Sequence, residues 1–153
     1  MPLTGRLLRA AQPAFDGANV WVTNYGGGGN GTVSKLRASD GTLLGKFTVG
    51  PNPLGIAFDG AYVWIANQGG ASVTKLRASD GAVVNTVNIS IEPYGIAFDG
   101  ANIWVTSFYG VTELRASDGR VIGEYQAADP TGIGFDGANV WVAETPSNAL
   151  LKM

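Results

Sequence analysis

The chain has 153 residues, of which 45% are hydrophobic and 14% charged. That is one domain's worth of core and the opposite of a disordered tail. Ten basic and 12 acidic side chains give a net charge of −2, which argues against a nucleic-acid binder. Cys and His are both absent, so disulfides, thiolate zinc sites, Cys nucleophiles and a Ser-His-Asp triad are excluded.

At the start of the chain, Met1 to Gln12 has two Arg and no continuous apolar run, so it does not read as a signal peptide. No apolar stretch approaches the roughly 18 residues needed to cross a bilayer. A soluble chain in an undetermined compartment is expected. Thr4-Gly5-Arg6-Leu7-Leu8 is similar to Asp118-Gly119-Arg120-Val121-Ile122 further on, the start of a strand after a turn.

From Phe15 onward the chain repeats itself. Phe-Asp-Gly-Ala occurs four times, at Phe15–Ala18, Phe58–Ala61, Phe98–Ala101 and Phe135–Ala138. Leu-Arg-Ala-Ser-Asp-Gly occurs three times, at Leu36–Gly41, Leu76–Gly81 and Leu114–Gly119. Each Phe is followed six residues later by Trp: Trp21, Trp64, Trp104 and Trp141, at intervals of 43, 40 and 37. Between Pro53 and Ile91 the pattern predicts four strands. Gly55–Phe58 closes at Asp59-Gly60, and Tyr62–Ala66 closes at Asn67–Gly70. Ser72–Arg77 closes at Ser79–Gly81, and Val83–Ile89 follows. A four-stranded meander with a period near 40 is a propeller blade. The strands carry apolar residues on both faces, as stacked blades require, so the four Trp are expected between blades.

The strand-two segments Trp21-Val22-Thr23-Asn24, Trp64-Ile65-Ala66-Asn67, Trp104-Val105-Thr106-Ser107 and Trp141-Val142-Ala143-Glu144 resemble the signature of YVTN-type β-propeller repeats. The Pro-x-Gly-Ile-Ala-Phe-Asp-Gly openings at Pro53–Gly60 and Pro93–Gly100 are also similar to virginiamycin B lyase-like and NHL-type propellers. The resemblance implies an all-β propeller of four-stranded antiparallel blades. Lyase members use a His and a divalent metal, and no position here inherits that His.

The phase of the repeats places a single domain over residues 1–153. Repeats fall near 13–49, 53–91, 93–127 and 130–153, and the segment 1–12 offers the strand that the last repeat lacks. From Gly5 to Phe15 is 10 residues, against 17 from Gly41 to Phe58, so the first fourth strand and the first inner strand must both be short, or one is missing. Four blades per chain, with a Trp at every blade face, predict a homodimer. Two chains would close an eight-bladed ring by exchanging N-terminal strands.

Loop lengths point to one end of the propeller. Trp-to-Leu distances across the loop between the second and third strands are 15, 12, 10 and, using Met153, 12. Leu-to-Phe distances across the rest are 22, 22 and 21. Variable loops on a rigid scaffold are where propellers carry function. On that face fall Tyr25, Asn52, Asn67, Gln68, Glu92, Tyr94, Phe108, Tyr109, Asp129 and Glu144. Amides and carboxylates beside flat aromatic rings suit a glycan or a small polar ligand.

The leading functional expectation is a non-catalytic binding or scaffold module without cofactor or metal, interacting with neither nucleic acid nor membrane. Two alternatives stay open. One is a lyase- or hydrolase-type enzyme using metal-bound carboxylates, drawn from Glu92, Asp129 and Glu144. The other is a propeller fragment or an engineered repeat protein without activity. The repeated turn residues Asp16, Asp40, Asp59, Asp80, Asp99, Asp118 and Asp136 are expected to be structural. Gly26–Gly29 lacks the Lys-Ser/Thr of a phosphate loop and reads as a hairpin loop. Lys35, Arg37, Lys75, Arg77 and Arg115 read as a solvated or inter-blade charged row.

Overall fold

The computed structural model describes residues 13–145 and 147–153. Among them the first sheet comprises β1 (Ala14–Phe15), β2 (Asn19–Asn24), β3 (Asn30–Arg37) and β4 (Leu43–Pro51). The second comprises β5 (Pro53–Phe58), β6 (Tyr62–Asn67), β7 (Ser72–Arg77) and β8 (Val83–Asn88). The third comprises β9 (Pro93–Phe98), β10 (Asn102–Ser107), β11 (Gly110–Arg115) and β12 (Val121–Gln126). The last has β13 (Pro130–Phe135), β14 (Val140–Glu144) and β15 (Ala149–Lys152). Every sheet is an antiparallel meander in chain order, a blade in the sense the repeats predict. No described helix is long and apolar enough to cross a membrane. The first inner strand, β1, is short, at two residues. The strand expected at Thr4–Leu8 lies outside the described residues.

The turns explain why these segments pair as they do. In the second blade, Asp59 Oδ1 accepts the backbone N–H groups of Ala61 (2.9 Å) and Tyr62 (2.7 Å). Its Oδ2 accepts the indole N–H of Trp64 at 2.7 Å. The same indole bond recurs from Trp21 to Asp16, Trp104 to Asp99 and Trp141 to Asp136, at 2.6–2.8 Å. Each Asp therefore closes a hairpin and fixes the Trp five residues on, a second task beyond the turn chemistry read from the sequence. At the next turn on the same end, Arg37, Arg77 and Arg115 pair with Asp40, Asp80 and Asp118 at 2.8–3.2 Å, all exposed. Such pairs contribute little individually.

Blades stack through the Trp faces. Trp21 packs with Ile56, Val63, Ile65 and Leu76 of the next blade. Trp64 packs with Ile96, Ile103, Val105 and Leu114, and Trp104 with Val140 and Val142. Inner strand β5 lies beside β9, and β9 beside β13. Gly55 permits that approach, because a Cβ there would collide with the Tyr94 carbonyl. Gly81, at φ +74°, brings the second blade's outer turn onto the Phe47 ring of the first, where a Cβ has no room. Trp141 departs from the expectation of burial between blades: it is only half-buried, since no described blade follows it.

The carboxylates of these turns give the fold a definite acid limit. The Thr42 amide and side chain, then Arg37, pull Asp40 down to about 2. Burial alone would raise Asp16 and Asp99. The Trp21 and Trp104 indoles with neighbouring amides outweigh it, and both end below the ordinary 3.8. The Trp141 indole holds Asp136 well below that value too. A carboxyl whose folded pKa is depressed stabilises the fold fully above its unfolded pKa, and that contribution is lost as pH falls through the folded value. The thermal midpoint should be flat from about pH 8 to about pH 5, because no His titrates there, and should fall steeply below about pH 4. A midpoint already declining near pH 6 would contradict this assignment.

Candidate functional site

The variable-loop end is built from the β2–β3, β6–β7, β10–β11 and β14–β15 loops and the connections between blades. At the junction of the second and third blades, a cleft of about 390 Å³ is lined by Ala71, Ser90, Ile91, Glu92, Phe108 and Tyr109. At the next junction, a cleft of about 230 Å³ is lined by Tyr94, Phe108, Asp129, Pro130 and Thr131. Phe108 belongs to both and forms the crest between them.

The β10–β11 loop places that crest. It is the shortest of the loops between second and third strands, with only Phe108 and Tyr109 between Ser107 and Gly110. The Ser107 hydroxyl donates to the Gly110 carbonyl at 3.0 Å and ties the loop base. Both aromatic rings are thereby turned outward, with Phe108 50% and Tyr109 71% exposed. Tyr94 meets Phe108 edge-on at 5.7 Å, and Tyr109 lies 5.8 Å from it at a tilt of 46°. Burying these rings against a ligand releases apolar surface that the fold leaves in water.

Polar groups surround the crest. Glu92 is exposed on the wall of the larger cleft, and the Ser90 hydroxyl beside it donates to Glu124 at 3.0 Å. On the smaller cleft, Asp129 takes a left-handed backbone at φ +46°, and its carbonyl accepts the Thr145 N–H at 3.4 Å. The Thr145 and Thr131 hydroxyls bond at 2.9 Å. The structure thus gathers Glu92, Tyr94, Phe108, Tyr109 and Asp129 into one region.

The remaining sequence candidates are placed elsewhere. Asn67 is fully buried, and its amide donates to Thr74 (2.8 Å) and Ser72 (3.2 Å), clamping β6 to β7. Asn52, at φ +50°, sits between the first two blades. Its Oδ1 accepts the Gly28 N–H at 3.2 Å and its carbonyl accepts that of Gln68 at 3.1 Å. Tyr25 and Gln68 are half-buried, on the β2–β3 and β6–β7 loops, and line neither cleft. Glu144 accepts the Ala128 N–H at 2.6 Å and the Ser147 hydroxyl at 3.0 Å, bracing the loop after β14. Gly26–Gly29 is a hairpin loop between β2 and β3, as the sequence indicates. Among the described residues, no three acidic side chains converge as a metal site would require.

Sequence reasoning missed Ala71, Ser90 and Ile91 in the larger cleft. The available signal was position: Ser90 and Ile91 follow Ile89, the last buried residue before the blade connection.

No protein-family model matches the sequence, and neither does any curated protein. Solved structures do match. Streptogramin B lyase superposes over 99% of this chain and 56% of its own, with a TM-score of 0.74 and 18% identity. The fold is that of a β-propeller repeat protein. The computationally designed Ika4 protein matches over 99% of this chain and 94% of its own, with a TM-score of 0.81 and 13% identity. Hydrazine synthase of Kuenenia stuttgartiensis matches over 99% of this chain and 46% of its own, with a TM-score of 0.77 and 16% identity. The propeller thus spans about half the length of the hydrazine synthase and lyase chains. Identities this low carry the architecture and leave activity to the residues of the site.

Proposed function

We propose that this propeller is a non-catalytic binding module whose variable-loop face takes a glycan or a small polar ligand at the Phe108 crest. The observation that carries the reading is the pair of clefts sharing an outward Phe108, flanked by Tyr94 and Tyr109. Flat rings stack on the apolar face of a sugar, while Glu92, Ser90, Asp129 and Thr131 offer hydrogen bonds to its hydroxyls. The supporting scaffold is rigid, so little ordering cost opposes binding beyond the exposed loop.

An array of neutral oligosaccharides tests the proposal, followed by titration of the strongest binder. Phe108→Ala is expected to weaken binding by roughly tenfold to a hundredfold, the range for a stacking anchor at the centre of a contact. Its thermal midpoint should stay close to the parent's, because the ring is half-exposed. An array without binders would refute the glycan as ligand, and binding unchanged by Phe108→Ala would refute the crest as its site.

A further inference from the structure

The two end blades carry matching halves of the contact that joins the first three blades; in the third, Glu113 stands opposite Trp104 and bonds Asn102 and Tyr125 instead. Between the first and second blades, Lys35 Nζ donates to the Ala78 carbonyl at 2.7 Å. Between the second and third, Lys75 Nζ donates to the Ala116 carbonyl, again at 2.7 Å. Both lysines sit opposite the blade's Trp: Trp21 pairs with Lys35 and Trp64 with Lys75. In the last blade Trp141 pairs with Lys152, whose Nζ lies 5.9 Å from the Trp141 ring. Lys152 is exposed and bonds no carbonyl among the described residues.

The first blade holds the missing acceptor. Ala38 occupies the place of Ala78 and Ala116: its N–H bonds the Ala18 carbonyl at 3.0 Å, as Ala78 does with Ala61 and Ala116 with Ala101. The face around it is open. Val20, Val22 and Leu36 are half-buried, whereas their counterparts Val63, Ile65 and Leu76 are fully buried. Phe15 is 58% exposed. Among the described residues, no strand of the first blade lies beside the last blade as neighbouring blades lie beside each other. Among the described residues, the first and last blades therefore do not cover one another.

We propose that a second copy of this chain covers both faces, with Lys152 of each copy donating to the Ala38 carbonyl of the other. The Trp141 face of one copy packs on Val20, Val22 and Leu36 of its partner, repeating the contact made by Trp21 and Trp64 inside the chain. Two such contacts related by a two-fold axis close a ring of eight blades and leave no blade face open. The four blades superpose on 56% of the streptogramin B lyase chain and 46% of that of hydrazine synthase, so the same fold occurs there within chains about twice as long.

Light scattering coupled to size exclusion, on the 153-residue chain at micromolar concentration, tests this. The expected mass is twice the chain's 15.8 kDa. Lys152→Glu reverses the charge at both contacts and is expected to raise the dimer dissociation constant by roughly a hundredfold, with circular dichroism unchanged. Arg120→Glu, exposed on the third blade between β11 and β12, should leave the dimer intact. A monomeric mass would overturn the proposal and leave the faces to another segment or protein. A larger or open-ended assembly would overturn the two-fold closure. A dimer insensitive to Lys152→Glu would overturn the pairing of these two faces.

Discussion

Replacing Trp64 by alanine is expected to lower stability by about 3–5 kcal/mol, the range for deleting a fully buried aromatic. Trp64 has no exposed surface and packs with Val73 of its own blade and Ile96, Ile103 and Leu114 of the next. Those neighbours belong to two different sheets with their own hydrogen-bond ladders, so they cannot collapse far into the space left behind. The indole also donates to Asp59, and alanine leaves that carboxylate one partner short. Trp64→Phe separates the two effects, retaining most of the packing and losing the N–H, and should cost about 1–3 kcal/mol. Chemical denaturation read by circular dichroism measures both variants. A midpoint for Trp64→Ala within error of the parent would mean that blades do not stack through this ring.

Lys75→Ala is expected to cost about 2–4 kcal/mol, a large effect for a lysine. Its stem is buried, and its ammonium lies 4.0 Å from the centre of the Tyr62 ring and 4.7 Å from that of Trp64. Burial lowers its pKa below 10.5, opposed by Asp59 and Asp118. The Ala116 carbonyl and the two ring faces make that burial tolerable. Alanine empties the slot and leaves the carbonyl without its donor. Lys75→Met refills the slot and removes the cost of burying a charge, so it should recover more than half of the loss. Denaturant titration of the pair decides the matter. A loss for Lys75→Ala under about 0.5 kcal/mol would be that of an ordinary surface lysine and would contradict this placement.

The blade was legible in the sequence because its signals are local. Asp-Gly turns, alternating apolar residues and the spacing from Phe to Trp each constrain a few neighbouring residues, and copies of one motif confirm each other. The inter-blade lysines were legible as part of a solvated or inter-blade charged row, without their acceptors. Their acceptors, Ala78 and Ala116, lie more than 40 residues away, and a backbone carbonyl leaves no trace in residue identity. The site was legible in part for a similar reason. Phe108 and Tyr109 announce themselves as aromatics in a short loop. Asn67 looks the same in sequence as a surface amide, yet its position at the end of a central strand buries it against Ser72 and Thr74. Asn52 and Asp129 precede prolines, and both take left-handed backbones, so their residue types answer first to conformation.

The claim that function resides at the Phe108 crest is tested most directly by amide chemical-shift mapping during titration with the oligosaccharide that binds best. The account predicts shifts confined to Ser90, Glu92, Tyr94, Phe108, Tyr109, Asp129 and Thr131. Shifts centred instead on the opposite end, at the turns of Asp59, Asp80, Asp99 and Asp118, would contradict it.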